Sequence, residues 1–132
     1  MTNDVSSPAA VVRAFMHAME LMDFDTALQY VADDLEYTNG PNPPVRGPAG
    51  VRAELAPFFA PIEENQFVIR REAVAGPVVC IERLDRHHIP QGWFELPVTG
   101  VFEVTDGRIV YWREYFDMAT IRDALTRLTA GA

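Results

Sequence analysis

The sequence predicts an α+β fold in which helices come first and an antiparallel run of strands follows. Three observations carry this. Val11, Val12, Phe15, Met16, Met19 and Met22 recur at three- and four-residue steps, the period of an amphipathic helix. From Phe67 onward the apolar residues fall into shorter segments that alternate every second position, the period of strands. Between the last two of those segments stands Thr105-Asp106-Gly107, a tight hairpin turn.

The elements follow in order. Ser7-Pro8 opens the first helix, Ser as N-cap and Pro at the first helical position, and the helix runs to about Asp23. A short second helix, capped by Asp25, spans 26–31 with Ala27, Leu28 and Val31 turned inward. A strand over 35–39 runs into Gly40-Pro41-Asn42-Pro43-Pro44, a loop that can be neither helix nor central strand. Pro48 opens a third helix after Gly47, with Val51, Leu55, Phe58 and Phe59 as its apolar stripe. Strands are expected over 66–74, 77–88, 93–104 and 108–116. The third of these should carry a bulge or bend around Pro97 and Gly100. A terminal helix begins at Met118. A curved, mixed, mostly antiparallel sheet wrapped over the N-terminal helices would form a cone with an apolar interior, a common place for a ligand pocket.

With 132 residues the chain is read as one domain, 1–132, with a flexible N-terminus (1–6) and a C-terminal helix (118–132). A net charge of −8 argues against nucleic acid or an anionic membrane as partner, since both want basic patches. No window approaches the length of a membrane span. The single cysteine, Cys80, leaves no intrachain disulfide, and the first residues lack the basic and apolar regions of a signal peptide. A cytoplasmic location is expected. No pair of side chains has metal-ligand spacing, His87 and His88 pointing to opposite faces of a strand, and no Gly-rich loop cradles a phosphate. No metal and no cofactor are expected.

The strand over 77–88 sets the functional question. Val79, Ile81, Arg83, Asp85 and His87 share one face, and that face changes from apolar to charged. Read alone, Arg83 and Asp85 suit either a solvated ion pair or the lining of a pocket. His87 could hydrogen-bond a substrate, titrate near neutrality, or end the strand in water. Met16 and Met19 suit a core or a pocket for an irregular apolar ligand.

Three segments taken together resemble the limonene-1,2-epoxide hydrolase family, within the nuclear-transport-factor-2-like (NTF2-like, cystatin-like cone) fold. They are Tyr37-Thr38-Asn39 before the Pro-rich loop, Glu82-Arg83-Leu84-Asp85, and Gly100-Val101-Phe102 followed by Asp106-Gly107-Arg108-Ile109 and Trp112-Arg113-Glu114-Tyr115-Phe116-Asp117. The resemblance implies that Asp85 is the general acid that protonates an epoxide oxygen, and that Arg83 bridges two catalytic carboxylates. It implies that Tyr37 and Asn39 hold the attacking water. Glu114 falls where the family has the aspartate that serves as general base. The reaction implied is one-step addition of water to a small apolar epoxide, giving a vicinal diol. Met16, Met19, Phe58, His87, Leu96, Val98 and Phe116 would line the substrate pocket.

Physical chemistry is compatible with this. Two buried carboxylates and one guanidinium leave one uncompensated negative charge, and one bound proton makes the cluster neutral, so one carboxyl can serve as acid while the other serves as base. Two rivals stand beside the hydrolase: a cyclase or isomerase of the same fold acting on a hydrophobic polycyclic or polyketide substrate, and a non-catalytic small-molecule-binding module. The extra methylene of Glu114 is the feature that keeps them open. The long strands and Trp112 suggest a homodimer through a sheet face.

Overall fold

The computed structural model describes residues 7–130, so the N-terminal segment expected to be flexible (1–6) and the last two residues of the expected terminal helix lie outside the described residues. The elements are helix Pro8–Glu20 (α1), a short helix Phe24–Ala27 (α2) continued by a 3-10 turn Leu28–Tyr30, and strands Val31–Asn39 (β1) and Val45–Arg46 (β2). Helix Gly47–Phe59 (α3) follows, then strands Glu64–Ala75 (β3), Val78–Ile89 (β4), Gly92–Thr105 (β5) and Arg108–Tyr115 (β6), and helix Met118–Ala130 (α4). The strands form one curved, unclosed sheet in the order β2-β1-β6-β5-β4-β3. Neighbours are antiparallel except β1 and β6, which are parallel. Among the described residues no helix is long and apolar enough to cross a membrane.

α1 lies across the inner face of the sheet. Its stripe Val11, Val12, Phe15, Met16, Ala18 and Met19 is buried. Phe15 meets Trp112 edge-on, with ring centroids 5.0 Å apart. Beneath it Tyr37, Trp112 and Phe102 occupy registered positions on β1, β6 and β5 and stack face to face, with centroids 3.8 Å and 5.8 Å apart. This aromatic row ties three strands together on the side that the helices cover. β4 alternates buried and half-buried residues along its whole length, with Val79, Ile81, Arg83, Asp85, His87 and Ile89 inside.

Several local expectations are corrected. α1 stops at Glu20, and Met22 sits in the left-handed region with φ +58°. The N–H of Asp23 reaches the carbonyl of Ala18 and that of Met22 reaches Met19, both at 2.9 Å, which closes the helix end in the Schellman manner without a glycine to announce it. Asp23, not Asp25, caps α2: its Oδ1 accepts from the N–H of Thr26 at 3.1 Å. Val31 belongs to β1 rather than to that helix. β5 pairs with β4 without interruption from Gly92 to Glu103, so no bulge falls at Pro97 or Gly100; the register shift lies between Glu103 and Val104, on the β6 side. Pro97 is tolerated because it lies beyond Thr99, where pairing with β6 ends. Trp112 is 3% exposed and faces the interior, so it offers nothing to a partner subunit.

Candidate active site

Local structure explains why charged side chains meet inside this cone. Arg83 and Asp85 are two residues apart on β4 and project inward together, and the same rule on β6 aims Glu114 inward beside Trp112. β5 separates the two strands. Opposite Glu114 and Ile81 it carries Gly100. A Cβ at Gly100 would stand 2.5 Å from Oε2 of Glu114 and 2.9 Å from Nη1 of Arg83, so the missing side chain is the space in which the ion pair forms. On the other flank β1 runs parallel to β6 and sets Tyr37 beside Trp112 and Asn39 beside Glu114.

Arg83 holds both carboxylates. Its Nε donates to Oδ1 of Asp85 at 2.7 Å and its Nη2 to Oδ2 at 3.1 Å. Nη1 donates to Oε2 of Glu114 at 3.2 Å, and Nη2 also meets Oε1 of Glu114. The three residues are 4%, 6% and 5% exposed, so this is a buried three-residue ion cluster rather than a surface pair. Burial pulls the guanidinium pKa down, but Glu114 and Asp85 outweigh that, and Arg83 is held protonated. For Glu114 burial dominates and raises its carboxyl above the ordinary value, against the charge and hydrogen bonds of Arg83. The buried indole N–H of Trp112 meets no partner at hydrogen-bond geometry, yet lies close enough to Glu114 to favour its ionised form.

These side chains open onto a cavity of about 250 Å³. That is several times the share of liquid volume of one water, so a small organic molecule and a water fit together. Tyr37, Asn39, Arg83, Asp85 and Glu114 line it, as do Met16, Met19, Phe58, His87, Leu96, Val98 and Phe116. The structure thus brings all the residues singled out from the sequence to one place. Phe116 does so from just past the end of β6. Tyr37 is 1% exposed. Its phenol is pushed well above its ordinary pKa by burial and then by the Glu114 carboxylate, so it stays a neutral O–H. Neither its hydroxyl nor the Asn39 amide hydrogen-bonds a described side chain, and both residues line the cavity.

His87 departs from two of its expected readings. It is 2% exposed, not a strand end in water. Its pKa is lowered from 6.5 to about 4 by burial, with Asp85 opposing and Arg83 assisting, so it does not titrate near neutrality. The rings of Phe58 and Phe94 stand 5.2 Å and 5.1 Å away. Its Nδ1 meets Oδ1 of Asn65 at 2.7 Å, and Nδ2 of Asn65 donates to the backbone carbonyl of Glu20 at 3.2 Å.

Sequence reasoning missed Asn65, Glu54 and Asn42. Asn65 stood one position before the predicted start of its strand, and extending the Phe67 alternation backward would have found it. Glu54 lines the cavity and lies three residues after Val51 and four before Phe58, on the inward stripe of α3; Asn42 Nδ2 donates to it at 3.4 Å. Among the described residues no group of three His, Cys, Asp or Glu side chains is placed to hold a metal.

Fold and site together define the class. An NTF2-like protein of unknown function from Burkholderia pseudomallei K96243 shares the fold, with a TM-score of 0.80 at 20% identity over 90% of this chain and 97% of that one. Within that class residues 6–127 match the limonene-1,2-epoxide hydrolase catalytic domain. Epoxide hydrolase EphG of Mycobacterium tuberculosis (strain ATCC 25618 / H37Rv) is 35% identical over 116 residues, covering 88% of this chain and 77% of that protein. The structure of an M. tuberculosis LEH-like epoxide hydrolase superposes with a TM-score of 0.79 at 33% identity, over 93% of this chain and 92% of that one. The chain belongs to the limonene-1,2-epoxide hydrolase family, and family and relative both support an enzyme of the epoxide hydrolase type.

Proposed function

We propose that the protein adds water to a small or medium, mainly apolar epoxide in one step, giving a vicinal diol. Asp85 is the general acid, Glu114 the general base, Arg83 the bridge, and Tyr37 and Asn39 the holders of the water. The observation that carries this reading is the guanidinium of Arg83 bonded to both carboxylates at the wall of a largely apolar cavity.

The step balances with water and epoxide alone. Glu114 takes a proton from water as the water oxygen bonds to an epoxide carbon. The carbon–oxygen bond of the ring breaks on the far side, and Asp85 gives its proton to the departing oxygen. The cycle ends with Glu114 protonated and Asp85 ionised, and the proton must return between two groups that one guanidinium touches. No other reactant is consumed, and we propose that the reaction runs without a cofactor. Burial favours the resting proton on Glu114. An epoxide oxygen beside Asp85 and a water beside Glu114 select the other arrangement, with Asp85 protonated. The pair therefore acts with a single shared proton, and its rate should fall both when a second proton binds and when the first is lost.

Glu114 stands where the family has aspartate. Its longer side chain still reaches Arg83 with both oxygens, in the space left by Gly100, which supports the hydrolase over the binding-module reading. The test is diol formation across an epoxide panel by Asp85→Asn and Glu114→Gln. Each should lose about a hundred- to ten-thousandfold in kcat while unfolding as cooperatively as the wild type. Near wild-type turnover in either variant would sink the assignment.

A further inference from the structure

The cluster of His87, Asn65 and Glu20 plays no part in the chemistry above, yet it builds a polar point into the aromatic end of the cavity. Its hydrogen bonds fix the imidazole tautomer. The amide nitrogen of Asn65 is committed as donor to the carbonyl of Glu20, so the amide oxygen is what faces Nδ1 of His87, 2.7 Å away. An oxygen acceptor there requires the proton on Nδ1. Nε2 is then a bare acceptor. The Asn65 end of the chain is itself anchored, because the carboxylate of Glu20 accepts the N–H of Phe67 at 2.7 Å and pins the end of α1 to β3. Nε2 makes no hydrogen bond to a described residue, and it is not among the buried side-chain polar atoms left without a partner, which among the described residues are Trp112 Nε1 and Arg113 Nε. The ring lines the cavity between Phe58 and Phe94. Burial keeps it neutral, with a pKa of about 4, so the acceptor persists at neutral pH.

We propose that His87 is a specificity residue whose Nε2 accepts a hydrogen bond from a hydroxyl of the substrate, so that the enzyme prefers an apolar epoxide bearing one hydroxyl over the corresponding hydrocarbon epoxide. The inference rests on the epoxide-hydrolase reading and sharpens it. His87 stands two residues beyond Asp85 on the same strand face, a separation of roughly 6–7 Å. The hydroxyl therefore belongs on the far side of the skeleton from the epoxide oxygen. A hydrocarbon seated against His87 strips water from Nε2 and returns nothing, and discrimination of this kind favours the donor-bearing ligand.

A matched pair tests it: 1,2-epoxycyclohexane carrying a 2-hydroxypropan-2-yl arm across the ring, and the same epoxide carrying an isopropyl arm. Wild-type kcat/KM should favour the hydroxylated epoxide by about tenfold to a hundredfold, and His87→Leu should shrink that preference to a fewfold. A wild-type ratio near one, or a ratio that His87→Leu leaves intact, overturns the inference while leaving the hydrolase in place. Absence of diol from both members and from the wider panel overturns the hydrolase reading and this one with it. A second measurement does not depend on how His87→Leu folds. In ¹⁵N-histidine-labelled Glu114→Gln, His87 should show a protonated Nδ1 and an unprotonated Nε2, and the Nε2 resonance should keep its hydrogen-bonded position with the hydroxylated epoxide and move downfield, as a nitrogen stripped of its donor, with the isopropyl one. Equal movement with both, or a proton on Nε2, overturns the assignment.

Discussion

Two carboxylates within reach of one buried guanidinium make a site whose stability and activity pull apart. Replacing either carboxylate with its amide leaves one cation and one anion, a balanced pair that needs no proton. Glu114→Gln and Asp85→Asn should therefore melt at or above the wild-type temperature while losing activity, as thermal unfolding measured beside diol formation will show. Arg83→Leu does the opposite damage, because it strands two buried carboxylates without their cation. It should lose about 3–5 kcal/mol of stability, measured by denaturant unfolding. Gly100→Ala probes the geometry: its Cβ would press on Oε2 of Glu114, and displacement by about 1 Å should lower the rate on the order of a hundredfold with the fold retained. A Gly100→Ala enzyme at the wild-type rate would show that Glu114 tolerates movement. At this scale the phase of β4 exposed Arg83, Asp85 and His87 as one inward row. The partner of His87 was not legible, because Asn65 comes from the neighbouring strand and a single sequence carries no cross-strand register.

Elements place these residues, and their ends decide how well. α4 is capped by Asp117, the residue before its first, whose Oδ1 accepts the N–H of Ala119 at 3.1 Å and whose Oδ2 accepts the hydroxyl of Thr120 at 2.9 Å. Its Met118 and Ile121 line the cavity. Asp117→Ala should weaken that helix start by about 1 kcal/mol. The expected kinetic result is a KM raised severalfold with kcat little changed, since the loosened wall binds substrate but performs no chemistry. A fall in kcat at constant KM would contradict this. The strands with clean alternation were readable from the sequence within a few residues. Boundaries failed where no special residue marks them: Met22 holds a left-handed helix end usually given to glycine, and β2, only Val45–Arg46, is too short to have a period. Gly100 was legible as unusual, but as a bend. Its use is close approach, which shows only once β4, β5 and β6 lie side by side.

At the scale of the whole molecule, the order of elements suffices to suggest helices inside a curved sheet, whereas the parallel pairing of β1 with β6 has no signature in either strand. That pairing brings Tyr37 and Asn39, near the start of the chain, beside Trp112 and Glu114 near its end, so the site is assembled only when the cone closes. Buried histidine makes the closed cone sensitive to acid. With a pKa of about 4 in the fold against an ordinary 6.5, His87 binds a proton more readily in the unfolded chain. Its contribution is thus fully present above about pH 6.5 and fades as the pH falls toward 4. Between about pH 7.5 and 5 it amounts to about 2 kcal/mol. Glu114, raised by burial, runs in the opposite sense, its contribution greatest at low pH. The difference in unfolding free energy between the wild type and His87→Leu should therefore narrow or reverse in the wild type's disfavour on acidification; a difference independent of pH would contradict the burial of a neutral ring. The claim on which all of this converges is direct attack by water held against Glu114. Its most direct measurement is a single turnover in ¹⁸O-labelled water with enzyme in excess. Direct attack puts the label into the diol in that first turnover and none into the protein. Unlabelled product, with ¹⁸O found in the carboxylate of Asp85 or Glu114 or nowhere at all, would contradict it.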